Sequence, residues 1–162
     1  MSTPTMTLSP ASGTFPFQEK TIPMPSGTKV ILGSTEVSTG LPARVPSASN
    51  GWFPPKQTED SAIASVSPLP LSSSHAEIWC DGGKHVLTFL ALPLMQVYIR
   101  DLDSAFGTYV NAMRISKTTI LKAGDTICLG SRIARNGKTP AYITDFHLSP
   151  VVAKVSLSGV SS

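Results

Sequence analysis

Ser72 and His75 are the side chains whose types and spacing could most readily support chemistry. A serine hydroxyl three residues before an imidazole is a minimal pair of nucleophile and base. A second candidate is a pair of carboxylates, Asp101 and Asp103, two residues apart in a short polar segment. Aspartate ordinarily forms turns at such positions, so we interpret the two carboxylates as part of a turn.

The two cysteines, Cys80 and Cys128, are far apart in the sequence, and neither belongs to a Cys-x-x-Cys pair. Because no signal peptide is recognisable, we predict that they are reduced, buried thiols of an intracellular protein. Neither cysteine has neighbouring residues that suggest a disulfide or a zinc site. The sequence therefore predicts no metal and no cofactor.

Charge and hydropathy argue against two classes of partner. The net charge is +3, and the basic residues are scattered rather than grouped in a stripe with aromatic residues. Nucleic-acid binding is therefore not predicted. The most apolar run, residues 86–95, is about half the length needed to cross a bilayer and contains Pro93, so direct membrane insertion is not predicted either.

The segments that must position these side chains are predicted to be short strands. Residues 97–115 contain a strand, a tight polar loop and a second strand, with Gly107 able to adopt a positive φ. Similar apolar or alternating segments are 15–22 (an edge strand), 29–32, 76–80, 119–121, 125–130, 141–144 and 151–157. Without a helical period of useful length, this pattern predicts one all-β sandwich domain.

Three segments do not fit a regular sandwich. Residues 1–14 are rich in Ser, Thr and Pro and are predicted to be a disordered tail, which leaves residues 15–160 as the domain. Residues 34–70 have the composition of a long loop, in which Trp52 and Phe53 are expected to pack on the core. Residues 81–84 predict the turn of a hairpin, but the apolar residues 85–96 come between this turn and the returning strand. We interpret these twelve residues either as a gene-model or splice artefact or as a strand extension, and a genuine extension would expose an apolar patch.

The order of four motifs resembles the forkhead-associated (FHA) domain, and more narrowly the type found in fungal vacuolar-targeting and pheromone-arrest proteins and in sarcolemmal membrane-associated protein. The motifs are Gly33 after an apolar strand, Ser72-x-x-His75-Ala-x-Ile78, Asp101-x-x-Ser-x-x-Gly-Thr-x-Val-Asn111 and Leu121-x-x-Gly-Asp-x-Ile-x-Leu-Gly130. The resemblance implies a β-sandwich of about eleven mostly antiparallel strands in two sheets. Its loops at one end would bind phosphothreonine peptides.

The resemblance also implies roles for individual residues. The positions that it implies for phosphopeptide binding are Ser72, Ser73, Ser34, Phe106, Gly107 and Thr108. The positions that it implies for support of the loops are Gly33, His75 and Asn111. Ser34 and Ser73 stand where the family has phosphate-binding arginines, and Phe106 stands where it has the asparagine that clamps the peptide. Arg44, Arg100 or Arg114 could compensate, but the sequence favours surface positions for them.

The sequence thus predicts a non-enzymatic interaction module for intracellular signalling or trafficking, because the FHA motif accounts for Ser72 and His75 without catalysis. Its partner would be a phosphothreonine peptide or, since key Arg and Asn positions are replaced, an unphosphorylated protein. The alternative is a structural β-sandwich of a scaffold that binds no phosphopeptide. The expected location is the cytoplasm, a membrane-associated complex or the nucleus.

Overall fold

The computed structural model describes residues 3–35, 42–58, 60, 65–81, 86–87, 92–93 and 95–159. In these ranges, no helix with the length and apolar character of a membrane span occurs. The strands are β1 (Thr5–Pro10), β2 (Lys20–Pro23), β3 (Lys29–Ser34), β4 (Trp52–Phe53), β5 (Ala76–Asp81), β6 (Val86–Leu87), β7 (Leu92–Pro93), β8 (Gln96–Asp101), β9 (Thr108–Val110), β10 (Met113–Arg114), β11 (Thr119–Leu121), β12 (Thr126–Leu129) and β13 (Val151–Ser158).

Eleven of these strands form two sheets. One sheet has six strands in the order β10-β9-β12-β13-β1-β2, and the other has five in the order β11-β8-β5-β3-β4. Every pairing in the two sheets is antiparallel except the parallel pair of β3 with β4. The predicted all-β sandwich of about eleven mostly antiparallel strands is confirmed.

The core lies between the two sheets and follows the period of two expected of strands with one buried face. In β13 the side chains of Val151, Ala153 and Val155 are buried, and in β5 those of Ala76, Ile78 and Cys80 are buried. Both cysteines are free, as predicted, although Cys128 is only half-buried. Burial raises the pKa of both thiols, which disfavours the reactive thiolate.

The prediction of a disordered tail over residues 1–14 is wrong. Thr5–Pro10 is an inner strand of the six-stranded sheet, between β13 and β2, and the side chains of Met6 and Leu8 are fully buried. Met6 and Leu8 alternate with Ser, Thr and Pro residues, so the composition of the segment does not indicate a strand. Strand formation becomes favourable only when the segment pairs with β13, from the other end of the chain. The domain therefore begins with β1.

Two short strand predictions need correction. The predicted edge strand at residues 15–22 is shorter and later, since Lys20–Pro23 forms β2 at the edge of its sheet. Residues 141–144 form no strand, because the chain turns there and the Ile143 amide donates to the carbonyl of Pro140. Ile143 is nevertheless buried, so its apolar character reflects packing of a loop rather than a strand.

The predicted long loop contains one short strand, β4, which extends the five-stranded sheet beside β3. Phe53 is fully buried, and its ring meets that of Phe17 edge to face with a centroid distance of 5.2 Å. This confirms the predicted packing for Phe53, whereas Trp52 is only half-buried. Gly51 permits the approach, because a Cβ at that position would lie 2.0 Å from the Ile31 carbonyl oxygen.

Most of the apolar insertion, and the hairpin turn predicted at 81–84, lie outside the described residues. Within residues 85–96, the segments Val86–Leu87 and Leu92–Pro93 pair as a small antiparallel sheet. Beyond them, β5 and β8 pair directly, with Asp81 opposite Gln96. The two strands of the interrupted hairpin therefore pair with each other, with residues 76–79 opposite 98–101, while the origin of the insertion stays a prediction.

Ala112→Gly is expected to stabilise the domain by about 0.5–1 kcal/mol, because Ala112 has a φ of 67° in the hairpin turn between β9 and β10. The preceding residue, Asn111, also has a positive φ of 51°, and a two-residue turn of this kind prefers Asn-Gly. Urea unfolding measures the difference. Gly124→Ala is the matched control, since Gly124 has a φ of +92° with nothing within 4 Å, and it should destabilise by a similar amount. A lower stability for Ala112→Gly would contradict the expectation.

Candidate functional site

Several loops converge at one end of the sandwich because of the strand register. In the five-stranded sheet Ala76, the first residue of β5, lies opposite Leu32 near the end of β3 and opposite Asp101 at the end of β8. In the six-stranded sheet, β9 starts at Thr108 after the loop that leaves β8. The loops after β3, before β5 and between β8 and β9 therefore meet at the same end.

Gly33 brings the first two loops into direct contact. A Cβ at this position would lie 2.1 Å from the carbonyl oxygen of Ser73, so only glycine fits. The neighbouring amide of Ser34 donates to the Ser72 carbonyl at 3.2 Å. These contacts support the role of Gly33 in shaping the loops.

His75 joins the second loop to the third. It is fully buried; its Nδ1 accepts a hydrogen bond from the Ser72 amide at 3.0 Å, and its Nε2–H donates to the Gly107 carbonyl at 2.7 Å. These two partners require the neutral imidazole. Burial lowers the pKa of His75, and the Gly107 carbonyl and Asp101 offset only part of this effect.

Asp101 organises the turn that follows β8. Its carboxylate accepts hydrogen bonds from the Ser104 hydroxyl at 2.5 Å, the Ser104 amide at 3.1 Å and the Thr108 hydroxyl at 2.6 Å. Burial by itself raises the pKa of Asp101, but these hydrogen bonds outweigh it and bring the pKa below its ordinary value. The carboxylate is therefore a structural anion of the loop, as the sequence suggested for a turn former.

Ser72 presents a hydroxyl between the second and third loops. Its Oγ accepts a hydrogen bond from the Ala105 amide at 3.2 Å, which leaves the hydroxyl proton to donate elsewhere. The side chain is half-buried and its position is fixed from two sides. Because Nδ1 of His75 accepts from the amide of Ser72 rather than from its hydroxyl, the two residues are not arranged as nucleophile and base.

Arg44 enters the site from the long loop after β3. Its Nη1 donates to the carbonyl of Ser34 at 3.0 Å and to the carbonyl of Ser73, and its Nη2 lies 3.4 Å from the Ser74 hydroxyl. The guanidinium stacks on the indole of Trp52, with Cζ 3.9 Å from the ring centroid. The side chain therefore bridges the positions where the sequence lacks the two expected arginines.

Hydrogen bonds within the loop hold the backbone that follows Arg44. The Asn50 side chain accepts from the amides of Ser47 and Trp52 and donates to the Val45 carbonyl at 2.9 Å. The Lys20 ammonium donates to the Ser47 carbonyl at 2.7 Å and lies over the Phe53 ring at 5.1 Å. The loop that carries Arg44 is thus attached to β2 and β4.

The unfolding free energy of the protein, relative to that of Lys20→Met, is expected to rise as the pH rises from about 8 to 10.5. Burial lowers the pKa of Lys20 from 10.5 to about 8. Between these values the unfolded chain holds a proton that the folded chain has released, so folding becomes more favourable as the pH increases. Denaturant titrations of both proteins across this range test it, with Lys138→Met as the control for loss of an exposed ammonium. An unchanged difference across the range would contradict the expectation.

The remaining predicted residues occupy different environments. Ser73 is exposed, and Phe106 is half-buried beside Gly107, which has the predicted positive φ, at 83°. Ser34 and Thr108 are buried, so Arg44 rather than the Ser34 side chain is the accessible donor at the end of β3. Contact of these residues with a phosphopeptide stays a prediction.

Asn111 supports the opposite end of β9 rather than the site. Its side chain donates to Asp125 at 2.9 Å and accepts from the Thr126 amide at 2.9 Å, which ties the β9–β10 hairpin to the turn before β12. Arg100 is committed to the buried Glu77, with Nη2 2.7 Å from its carboxylate. Arg114 lies against Gly107, where a Cβ would come within 2.8 Å of its Nε.

A sandwich with rigid loops gathered at one end, lined by hydroxyls, amides and a stacked arginine, defines a β-sandwich interaction module. Residues 57–130 match the family model of the FHA domain, and the chain carries an FHA domain. The family predicted from the order of the motifs is confirmed.

A relative among characterised proteins is the vacuolar protein sorting-associated protein 64 of Saccharomyces cerevisiae, which is 36% identical over 92 residues. The match covers 53% of this chain but only 13% of the yeast protein. Among solved structures, the FHA domain of the CT664 protein from Chlamydia trachomatis is 20% identical with a TM-score of 0.43, covering 80% of this chain and 90% of that one. The MEK1 FHA domain is 17% identical with a TM-score of 0.47, covering 96% and 89%.

Proposed function

We propose that this FHA domain binds a phosphothreonine-containing segment of a protein partner and that Arg44 provides the charge for the phosphate. The observation that carries the proposal is the position of the Arg44 guanidinium, fixed by Trp52 and by the carbonyls of Ser34 and Ser73. A phosphothreonine carries close to two negative charges and three acceptor oxygens. A guanidinium held rigidly at the loop end meets that requirement better than two serines alone.

The donors of Arg44 are only partly used by the protein. Among the described residues, backbone carbonyls accept both hydrogens of Nη1 and the Ser74 hydroxyl is near one of Nη2, while Nε–H and the other Nη2–H have no partner there and remain for a ligand. None of the ion pairs found within the described ranges involves this residue, so its charge is not neutralised by a carboxylate there. A phosphate could therefore form charge-assisted hydrogen bonds with it.

Ser72 complements Arg44 on the neighbouring loop. Within the part of the chain that the structure describes, its hydroxyl proton has no acceptor and can donate to a ligand, and its Oγ accepts from the Ala105 amide. Phe106 offers an apolar surface in place of an amide that would bind the peptide backbone. We therefore infer that recognition depends on the phosphate and on side-chain contacts more than on a backbone clamp.

Fluorescence polarisation with a degenerate peptide library tests this function, each peptide carrying one central phosphothreonine or the matching threonine. Tighter binding of the phosphorylated library, weakened by Ser72→Ala, is the expected result. Equal binding of both libraries would overturn phosphate recognition and favour an unphosphorylated partner. Binding of neither would favour the structural sandwich.

The cellular context proposed here is trafficking or signalling on a protein complex in the cytoplasm or at a membrane. The motif order and the match to a vacuolar protein sorting-associated protein support it. Nucleic-acid binding and membrane insertion are not part of the proposal, since the charge pattern and hydropathy of the sequence favour neither.

A further inference from the structure

A groove separate from the proposed phosphothreonine site lies beside the loops of the six-stranded sheet, with a volume of about 780 Å³. Its walls come from the segment after β1, the segment after β4 and the long connection between β12 and β13. The lining residues used below are Lys56, Arg132, Asp145, Phe146 and Ser149. None of them belongs to the phosphothreonine site proposed above.

The groove is positively charged. Lys56 and Arg132 line it, and neither takes part in any of the ion pairs found among the described residues. The carboxylate in the groove, Asp145, is paired with Arg135 at 3.4 Å. The net charge offered to a ligand is therefore positive.

An aromatic surface lies next to the cations. Phe146 is 50% exposed, and the Lys56 ammonium lies over its ring at 5.5 Å from the centroid. The groove thus combines an apolar contact with two cationic donors. This combination suits an extended peptide with acidic side chains and is less suited to a small apolar ligand.

The groove walls are fixed by partly buried hydrogen bonds. His147 is fully buried; its Nε2–H donates to the Lys56 carbonyl at 2.9 Å, and its Nδ1 accepts from the Thr144 hydroxyl at 2.8 Å. Arg132 donates to the Ser149 hydroxyl at 3.2 Å, and that hydroxyl donates to the Asp145 carbonyl at 2.9 Å. A preformed groove lowers the entropy cost of ordering on binding.

The groove and the phosphothreonine site share one segment of chain. The amide of Leu69 donates to the His147 carbonyl at 2.9 Å, and Ser72 follows three residues later. Three residues span at most about 11 Å. An extended peptide advances about 3.3 Å per residue, so about three residues match this segment, and the reach of the long Lys and Arg side chains at either end extends the separation to roughly four to six residues.

We propose that this groove binds an acidic segment of the same partner, about four to six residues from its phosphothreonine. The proposal rests on the proposed phosphopeptide function for the spacing of the two contacts. Lys56 and Arg132 pair with Asp or Glu side chains, and Phe146 packs against the peptide between them. The groove thereby selects partners by sequence beyond the phosphorylated residue.

The test uses synthetic probes with a phosphothreonine, a five-residue Gly-Ser spacer and three glutamates, placed on either side of the phosphothreonine. The matched probes carry three glutamines, and unphosphorylated versions of all four complete the set. Binding is measured by fluorescence polarisation with the whole chain, the double variant Lys56→Gln/Arg132→Gln, and the control Lys138→Gln, which removes the charge of an exposed lysine outside the groove.

We expect the wild type to bind one triglutamate probe about fivefold more tightly than its glutamine partner, since surface ion pairs contribute modestly. The double variant should lose this preference while keeping its preference for phosphate, and Lys138→Gln should keep both. Equal binding of glutamate and glutamine probes by the wild type would overturn the proposal that the groove binds an acidic segment.

Failure of the phosphothreonine site gives a different pattern. Phosphorylated and unphosphorylated probes would then bind alike, and a glutamate preference that disappears in the double variant would still support the groove. A preference that persists in the double variant would overturn it. Displacement of the triglutamate probe by a single-stranded oligonucleotide at lower concentration than by free triglutamate peptide would also overturn it, in favour of a nucleic-acid ligand.

Discussion

Arg44→Gln is expected to weaken phosphothreonine peptide binding by about 10- to 100-fold. Hydrogen bonds to charged groups contribute roughly 1.5–3 kcal/mol, and each 1.4 kcal/mol corresponds to a factor of ten. Glutamine can still donate to a backbone carbonyl but carries no charge for the phosphate. The dissociation constants of one phosphorylated peptide for both proteins measure the effect.

Two variants separate charge from loop structure. Arg44→Lys keeps the charge but loses the planar contact with Trp52 and the bridge between Ser34 and Ser73, so intermediate affinity is expected. Arg135→Gln is the control, because Arg135 also donates to a backbone carbonyl, that of Ile143, but lies outside the site. Wild-type affinity in Arg44→Gln, with phosphate preference intact, would show that another group holds the phosphate.

His75→Ala is expected to destabilise the domain by about 3 kcal/mol. The substitution removes the acceptor of the Ser72 amide and the donor to the Gly107 carbonyl, and it leaves a cavity where a fully buried ring was. The Gly107 carbonyl keeps its hydrogen bond from the Gly130 amide at 2.8 Å, which limits the loss. For a domain of this size we expect the melting temperature to fall by about 6–12 °C.

His75→Asn provides the conservative comparison. An asparagine carbonyl can replace Nδ1 as the acceptor of the Ser72 amide, while the contact with Gly107 is lost. About half of the stability loss should therefore remain, and peptide affinity should fall because the second and third loops are no longer joined. Calorimetry measures the stabilities and polarisation the affinities. An unchanged melting temperature in His75→Ala would show that the buried imidazole does not hold the loops together.

The strands that carry the site could be predicted from the sequence because their information is local. Alternation in 76–80 and 97–100 predicts β5 and β8, and the turn chemistry of residues 101–107 predicts the loop between β8 and β9. Gly33 and Gly107 were recognisable within motifs of fixed order. The structure shows why each position requires glycine. The Ser73 carbonyl lies against the Cα of Gly33, and Gly107 has a φ of 83°.

β1 could not be predicted from its own residues. Met6 and Leu8 have the correct spacing, but a strand of Ser, Thr and Pro residues is unstable alone. Its partner, β13, lies at the other end of the chain, and the pairing buries both apolar side chains. The local composition of residues 1–14 therefore indicated disorder, although pairing with a strand that is distant in the sequence orders Thr5–Pro10.

The sequence by itself determined the family, the sandwich and the order of the loops along the chain, since these depend on short-range patterning and on glycines at tight positions. Only the tertiary structure decided which arginine faces the site. The position of Arg44 depends on an indole eight residues later and on carbonyls from two separate loops, and none of these contacts has a sequence period. Side-chain placement in a long loop is set by such non-local contacts, so the charged group beside Ser72 could not be identified before the fold was known.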